Sequence, residues 1–158
     1  MDSIRIFGYK SFKKLSVQLH PINLLIGANG AGKSNFLSLF EMLGNIYEKR
    51  LGAYVAQVGG VDKLLYQGRK VTDRIAVNLL IAKSEYDLVL LESDGKLIVE
   101  REVVGCYDDV CPLDLVRKNV ITEYQSESSL KDHKEEDLSN YISQIRKFHF
   151  HDTGRRSP

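Results

Sequence analysis

The sequence predicts an α/β fold: a mixed sheet with an antiparallel β-subdomain and flanking helices. Three observations carry this. Ile22-Asn-Leu-Leu-Ile26 is an apolar run leading into a glycine-rich turn, and apolar residues then recur at Phe36, Leu37, Leu39, Phe40 and Leu43, which is helical spacing. Two strand-like segments flank Ser93-Asp-Gly95, a hairpin signal. Leu138, Tyr141, Ile142 and Ile145 fall at i, i+3, i+4 and i+7, one face of a helix.

Taken in order, Ser3-Ile-Arg-Ile-Phe7 alternates and reads as a strand, Gly8 to Phe12 as a turn, and Lys14 to His20 as a second strand that Pro21 ends. Ile22 to Ile26 is apolar on both faces, as expected for a strand in the middle of a sheet covered on both sides. The next helix is predicted from Lys33 to about Arg50. Lys49 and Arg50 would sit favourably in its last turn, with Gly52 as the stop. Gln57 to Gly60 reads as a turn, Val61 to Tyr66 as one or two short helical turns, and Gly68 to Lys70 as loop. Arg74 to Ala82, Tyr86 to Leu91 and Lys96 to Val104 give an antiparallel unit. Val120 to Tyr124 reads as a further strand, and Leu138 to Phe148 as a helix packing on the sheet. Lys147 to His151 fits a short strand, with His149 and His151 on one face. Together with Asp152 these could supply three metal ligands, although a packed strand end is the simpler reading.

Composition sets limits on function. At 158 residues the chain is one domain or part of a larger one. It is 43% hydrophobic and 27% charged, as soluble globular proteins are. A net charge of +1 gives no global argument for nucleic-acid binding. No apolar run reaches the length of a membrane span and Met1 to Arg5 is no signal peptide, so a cytoplasmic protein is expected. Cys106 and Cys111 have no nearby histidine and read as reduced thiols rather than a zinc site.

Gly27-Ala-Asn-Gly-Ala-Gly-Lys-Ser34 carries the chemistry. It matches G-x-x-x-x-G-K-S, the P-loop, between a predicted strand and a predicted helix. Such a turn wraps backbone N–H groups around phosphate oxygens, and the helix beginning near Lys33 aims its unpaired N–H groups at the same anion. Gly30 and Gly32 permit the approach because they have no side chain and tolerate positive φ. The expected binding set is Gly27, Asn29, Gly30, Ala31, Gly32, Lys33, Ser34 and Asn35. Lys33 would reach the β- and γ-phosphates of ATP, and the Ser34 hydroxyl would bind Mg²⁺. Leu88-Val-Leu-Leu-Glu92 ends an apolar run in an acid, as a Walker B strand does, but its place just before a turn favours a hairpin end.

Ile6-Phe-Gly-Tyr-Lys-Ser-Phe12, followed by Ile22 to Asn35, resembles the opening of RecF/SMC-type ABC ATPases. In that group a GFKSF-like turn precedes a loop of the form G-x-N-G-x-G-K-S-N, which Asn29 and Asn35 match. The loop differs from the G-x-P-G-T-G-K-T of most AAA proteases and helicases. Phe148-His-Phe-His-Asp-Thr153 is similar to a stretch found midway through a RecF-like branch of bacterial ATPases. The resemblance implies an ABC-type N-terminal lobe of a P-loop NTPase, with ATP and Mg²⁺ as ligands. It also implies a homodimer formed through the nucleotide and a link to DNA repair, chromosome maintenance or phage defence. Lys10 matches the basic residue of the turn and is expected near the phosphates or the adenine; Gln67 and Gln144 are candidate γ-phosphate sensors.

No L-S-G-G-type segment and no apolar run ending in Asp-Glu occurs in the sequence. The expectation is therefore a single incomplete ATPase domain over 1–158. It would comprise strands, P-loop and first helix over 1–50, the antiparallel subdomain over 70–105, and a helix plus short strand over 126–158. Phosphoryl transfer needs several groups positioned together, so this chain alone is expected to bind ATP·Mg²⁺ and to hydrolyse little. The alternative is a non-catalytic interaction module or degenerate fragment that keeps the P-loop fold. A GTPase would need N-K-x-D, which is absent, and a small kinase would need an arginine-rich lid, for which Arg155-Arg156 is poor evidence.

Overall fold

The computed structural model describes residues 3–82, 84–106, 117–133 and 136–144. Six strands form one sheet: β1 (Ser3–Tyr9), β2 (Phe12–Gln18), β3 (Arg74–Ile81), β4 (Ser84–Ser93), β5 (Lys96–Cys106) and β6 (Arg117–Gln125). Their order is β2-β1-β3-β4-β5-β6. Between β2 and β3 come α1 (Lys33–Tyr47), α2 (Leu51–Gln57) and a 3-10 turn at Val61–Lys63. After β6 come a second 3-10 turn, Leu130–Asp132, and α3 (Glu136–Ser143).

Alternation explains the sheet. Ile4 and Ile6 of β1, Ile75, Val77 and Leu79 of β3, and Tyr86, Leu88 and Leu90 of β4 all point to one face and are buried. Leu39, Leu43 and Ile46 of α1, Leu51 and Tyr54 of α2, and Leu138 and Ile142 of α3 join them in one core. Each such side chain contributes about 1.5–3 kcal/mol when fully buried, so this layer dominates the fold's stability.

Every strand pair is antiparallel, so the sheet is not the mixed one expected. The difference lies at Ile22 to Ile26. These residues form no strand, and Ile22, Leu24 and Ile26 are 90%, 81% and 83% exposed. A strand that is apolar on both faces needs neighbours and cover on both sides. Both edges of β1 are already taken, by β2 and β3, and no described strand lies beside 22–26.

The first helix also differs. It ends at Tyr47, and Lys49 adopts φ 55°, a left-handed conformation that breaks the helix before α2 begins. Lys49 and Arg50 are thus not in its last turn, and Gly52 lies inside α2 rather than stopping a helix. β6 starts at Arg117, earlier than the expected Val120. α3 spans Glu136–Ser143, and the expected helix residues from Ile145 to Phe148 lie outside the described residues. The hairpin at Ser93-Asp-Gly95 is present between β4 and β5, with Asp94 and Gly95 both at positive φ. Cys111 and the whole stretch from Ile145 onward, including His149, His151, Asp152, Arg155 and Arg156, lie outside the described residues.

Candidate functional site

The Gly27–Ser34 turn is solvent-facing and leads directly into α1. Gly30 and Gly32 have φ of 83° and 93°, the left-handed region that side chains disfavour. Gly32 is also constrained by space. A Cβ there would meet Phe12 Cε1 at 3.1 Å and Ser11 Oγ at 3.3 Å. The β1–β2 turn therefore packs straight onto the glycine loop, and Asn35 Nδ2 fixes the contact by donating to Ser11 Oγ at 2.9 Å.

Gly32 is the N-cap of α1 and offers no side chain to cap it, and the first helical turn carries no acid. The leading N–H groups of a helix have no partner within it, so this end suits an anion. The Lys33 ammonium folds over the loop and donates to the Gly27 carbonyl at 2.5 Å and the Ala28 carbonyl at 2.7 Å. It thus sits across the turn rather than out in solvent. Ser34 lies exposed in the first helical turn. These groups fit a nucleotide's phosphates: backbone donors, a helix end and one ammonium. Ser34 supplies the P-loop hydroxyl for a metal beside them.

Beneath the loop lies a network invisible to motif reading. Ser38, one helical turn after Ser34, is buried and donates to the Asn35 carbonyl at 2.8 Å. Its Oγ lies 2.9 Å from the Tyr9 hydroxyl and accepts from Lys10 Nζ at 2.8 Å. Tyr54 of α2 donates to the Ser38 carbonyl at 3.3 Å. Burial pushes the Tyr9 and Tyr54 hydroxyl pKa values up, keeping both as neutral donors. The network locks the β1–β2 turn to α1 and places the Lys10 ammonium beside the helix. Sequence spacing held only a faint signal of this: Ser38 at i+4 from Ser34.

The other expected residues scatter. Gln67 is exposed, at φ 56°, and lines a cleft together with Lys10 and Asn35. Gln144 lies just past the end of α3. Glu92 is the penultimate residue of β4, where its Oε1 accepts from the Gly95 N–H at 2.8 Å and closes the hairpin. Among the described residues, no group of three or more His, Cys, Asp or Glu could hold a metal ion. No described helix is long and apolar enough to cross a membrane.

The profile of the AAA ATPase domain family matches residues 1–150. The chain belongs to that family. No match is found among curated proteins. An AAA ATPase domain implies nucleotide binding and ATPase activity, and the family generally uses ATP and Mg²⁺. The matched span takes in the P-loop, the turn packed upon it and the whole sheet.

Proposed function

We propose that this AAA ATPase domain binds ATP·Mg²⁺ through Gly27, Asn29, Gly30, Ala31, Gly32, Lys33, Ser34 and Asn35. The observation that carries the reading is the Lys33 ammonium lying across a turn whose two left-handed glycines open into an uncapped helix. In this reading the phosphates displace the Gly27 and Ala28 carbonyls as acceptors for Lys33. Ser34 supplies the metal-binding hydroxyl. Magnesium, when bound, neutralises charge between the β- and γ-phosphates. Glu92 is committed to a hairpin, and in this reading the chain alone binds ATP and turns it over slowly.

The finer reading is a RecF/SMC-like ATPase, cytoplasmic, acting as a homodimer through the nucleotide in DNA repair, chromosome maintenance or phage defence. Its support is the Gly8-Tyr-Lys-Ser-Phe12 turn packed on an N-G-x-G-K-S-N loop. Isothermal titration with ATP and Mg²⁺ tests the core of this. Lys33→Ala is expected to cut affinity about 10- to 150-fold, the loss of a charged hydrogen bond of about 1.5–3 kcal/mol. Absence of heat, with no effect of the substitution, would instead favour a non-catalytic interaction module.

A further inference from the structure

An open cleft of about 810 Å³ adjoins the P-loop, sharing Asn35 with it and otherwise lined by the β1–β2 turn and residues 62–70. Lys10, Lys63, Arg69 and Lys70 border it, against a single carboxylate, Asp62. That carboxylate is already engaged. Its Oδ1 accepts from the Arg69 N–H at 2.9 Å, and its Oδ2 pairs with Arg69 Nε at 3.4 Å. Four cations therefore line one cleft in a chain whose overall net charge is +1, with Lys10 bonded to Ser38 and Arg69 to Asp62.

The cleft is built rather than accidental. The Lys10 N–H donates to the Leu64 carbonyl at 2.7 Å, and the Tyr66 N–H donates to the Gly8 carbonyl at 2.9 Å. Tyr9 and Leu65 form a β-bridge between the same two segments. These bonds zip the 61–72 loop to the end of β1 and fix the backbone positions that carry the cations. Lys10 and Gln67, at φ 47° and 56°, take a conformation that non-glycine residues seldom adopt. The lining has no aromatic ring and one apolar side chain, Leu65. It offers little for a purine to stack on and much for oxyanions.

We propose that this cleft is a second phosphate-binding site, adjoining the P-loop at Asn35, for a ligand other than the nucleotide held there. The shared chemistry is the phosphate oxyanion. It can come from a small oligophosphate or from the phosphodiester backbone of a nucleic acid.

Binding is measured in a Lys33→Ala background, which silences the P-loop, with tripolyphosphate and with a labelled single-stranded oligonucleotide as probes. At least one is expected to bind with strong salt dependence, and Lys63→Gln with Lys70→Gln to weaken it about 10-fold or more. Those two exposed lysines leave the Arg69–Asp62 pair intact, so the fold is kept. Binding of tripolyphosphate alone identifies a small ligand, binding of the oligonucleotide alone a nucleic-acid backbone, and binding of both a general phosphate site. With Lys33 restored, the double variant should bind ATP within about 2-fold of the parent. The proposal is wrong if neither probe binds, if the double variant binds them as the parent does, or if it loses ATP to the same degree. In the last case the cleft is part of the nucleotide site. Failure of the P-loop reading shows separately, as ATP binding indifferent to Lys33→Ala.

Discussion

Glu102 is fully buried, yet its carboxylate is surrounded by donors. Oε1 accepts from Tyr86 at 2.6 Å and Ser128 at 2.5 Å; Oε2 accepts from Thr122 at 2.7 Å and the Ser129 N–H at 3.0 Å. Burying a carboxylate is tolerable only with such complete partnership. Glu102→Gln replaces one acceptor with an NH₂. The NH₂ goes to the Oε1 side, away from the Ser129 N–H, and there the Tyr86 and Ser128 hydroxyls must turn to accept from it and lose the acceptor they shared. The expected cost is about 1–3 kcal/mol, or a fall in Tm of about 2–12 °C for a chain of this size. Calorimetry showing an unchanged Tm would mean the cluster is not as drawn. The same cluster makes a pH prediction. Burial, then the Glu102 charge, raises the Tyr86 hydroxyl pKa well above its ordinary value; Tyr9 and Tyr54 rise chiefly through burial. A raised folded pKa means the folded state holds the proton more tightly than the unfolded one. The stability this gives is complete below about pH 10, the unfolded value, and is lost as pH climbs from there through the folded values. Urea unfolding at about pH 8 and about pH 11 should show that loss, with a smaller pH dependence in Tyr86→Phe. Identical slopes in the two proteins would rule Tyr86 out as a contributor.

Residues 126–133 act as a strap from β6 to the joint between α1 and α2. Ser128 and Ser129 anchor it on Glu102, and Leu130 is buried in the core. Glu127 accepts from the Leu51 N–H at 3.0 Å and the Gly52 N–H at 3.5 Å, filling the role of a cap for α2, whose own N-cap residue makes no side-chain bond. Lys131 pairs with Glu48, and Asp132 with Lys49. These contacts are not equal. The two ion pairs are largely exposed and worth about 0–1 kcal/mol, whereas an acidic acceptor at a helix start is worth about 0.5–2 kcal/mol. Glu127→Ala should therefore destabilise measurably and speed amide exchange at Leu51 and Gly52, while Lys131→Ala should do neither. The reverse ranking in exchange experiments would overturn this account. Sequence reading reached some of these elements and not others. Strands β1 to β5 were legible because alternation is a local property, and the P-loop because its spacing is. The break at Glu48 to Arg50 was not, because Lys49 takes the left-handed helix-stop position that glycine usually marks, with the Arg50 N–H donating back to the Asn45 carbonyl at 2.8 Å. Ser38 and the cationic cleft were hidden for a different reason: their partners meet only once the sheet has formed.

At the scale of the whole molecule, residues 22–26 run against the logic of the sheet. Ile22, Leu24 and Ile26 read as the best-buried strand in the sequence and are among the most exposed apolar residues in the structure. Periodicity reports what a segment can bury, not whether a neighbour is there to bury it. Leu37 and Tyr141, 46% and 40% exposed, extend the apolar surface from α1 and α3. Leu25, Leu37 and Tyr141 also line a common pocket, linking the segment to both helices. Exposed apolar surface, where it is contiguous, is normally an interaction surface or an aggregation hazard. The consequence for stability is asymmetric. Replacing a buried Ile such as Ile75, fully enclosed in β3, by a small residue should cost about 2–5 kcal/mol. Ile22→Ser with Ile26→Ser removes side chains that bury almost nothing, so unfolding free energy should change by less than about 0.5 kcal/mol. The same double variant should bind less of a hydrophobic dye and stay monomeric to higher concentration. A loss of stability comparable to that at Ile75 would show that 22–26 is covered in solution and that its exposure here is not its working state.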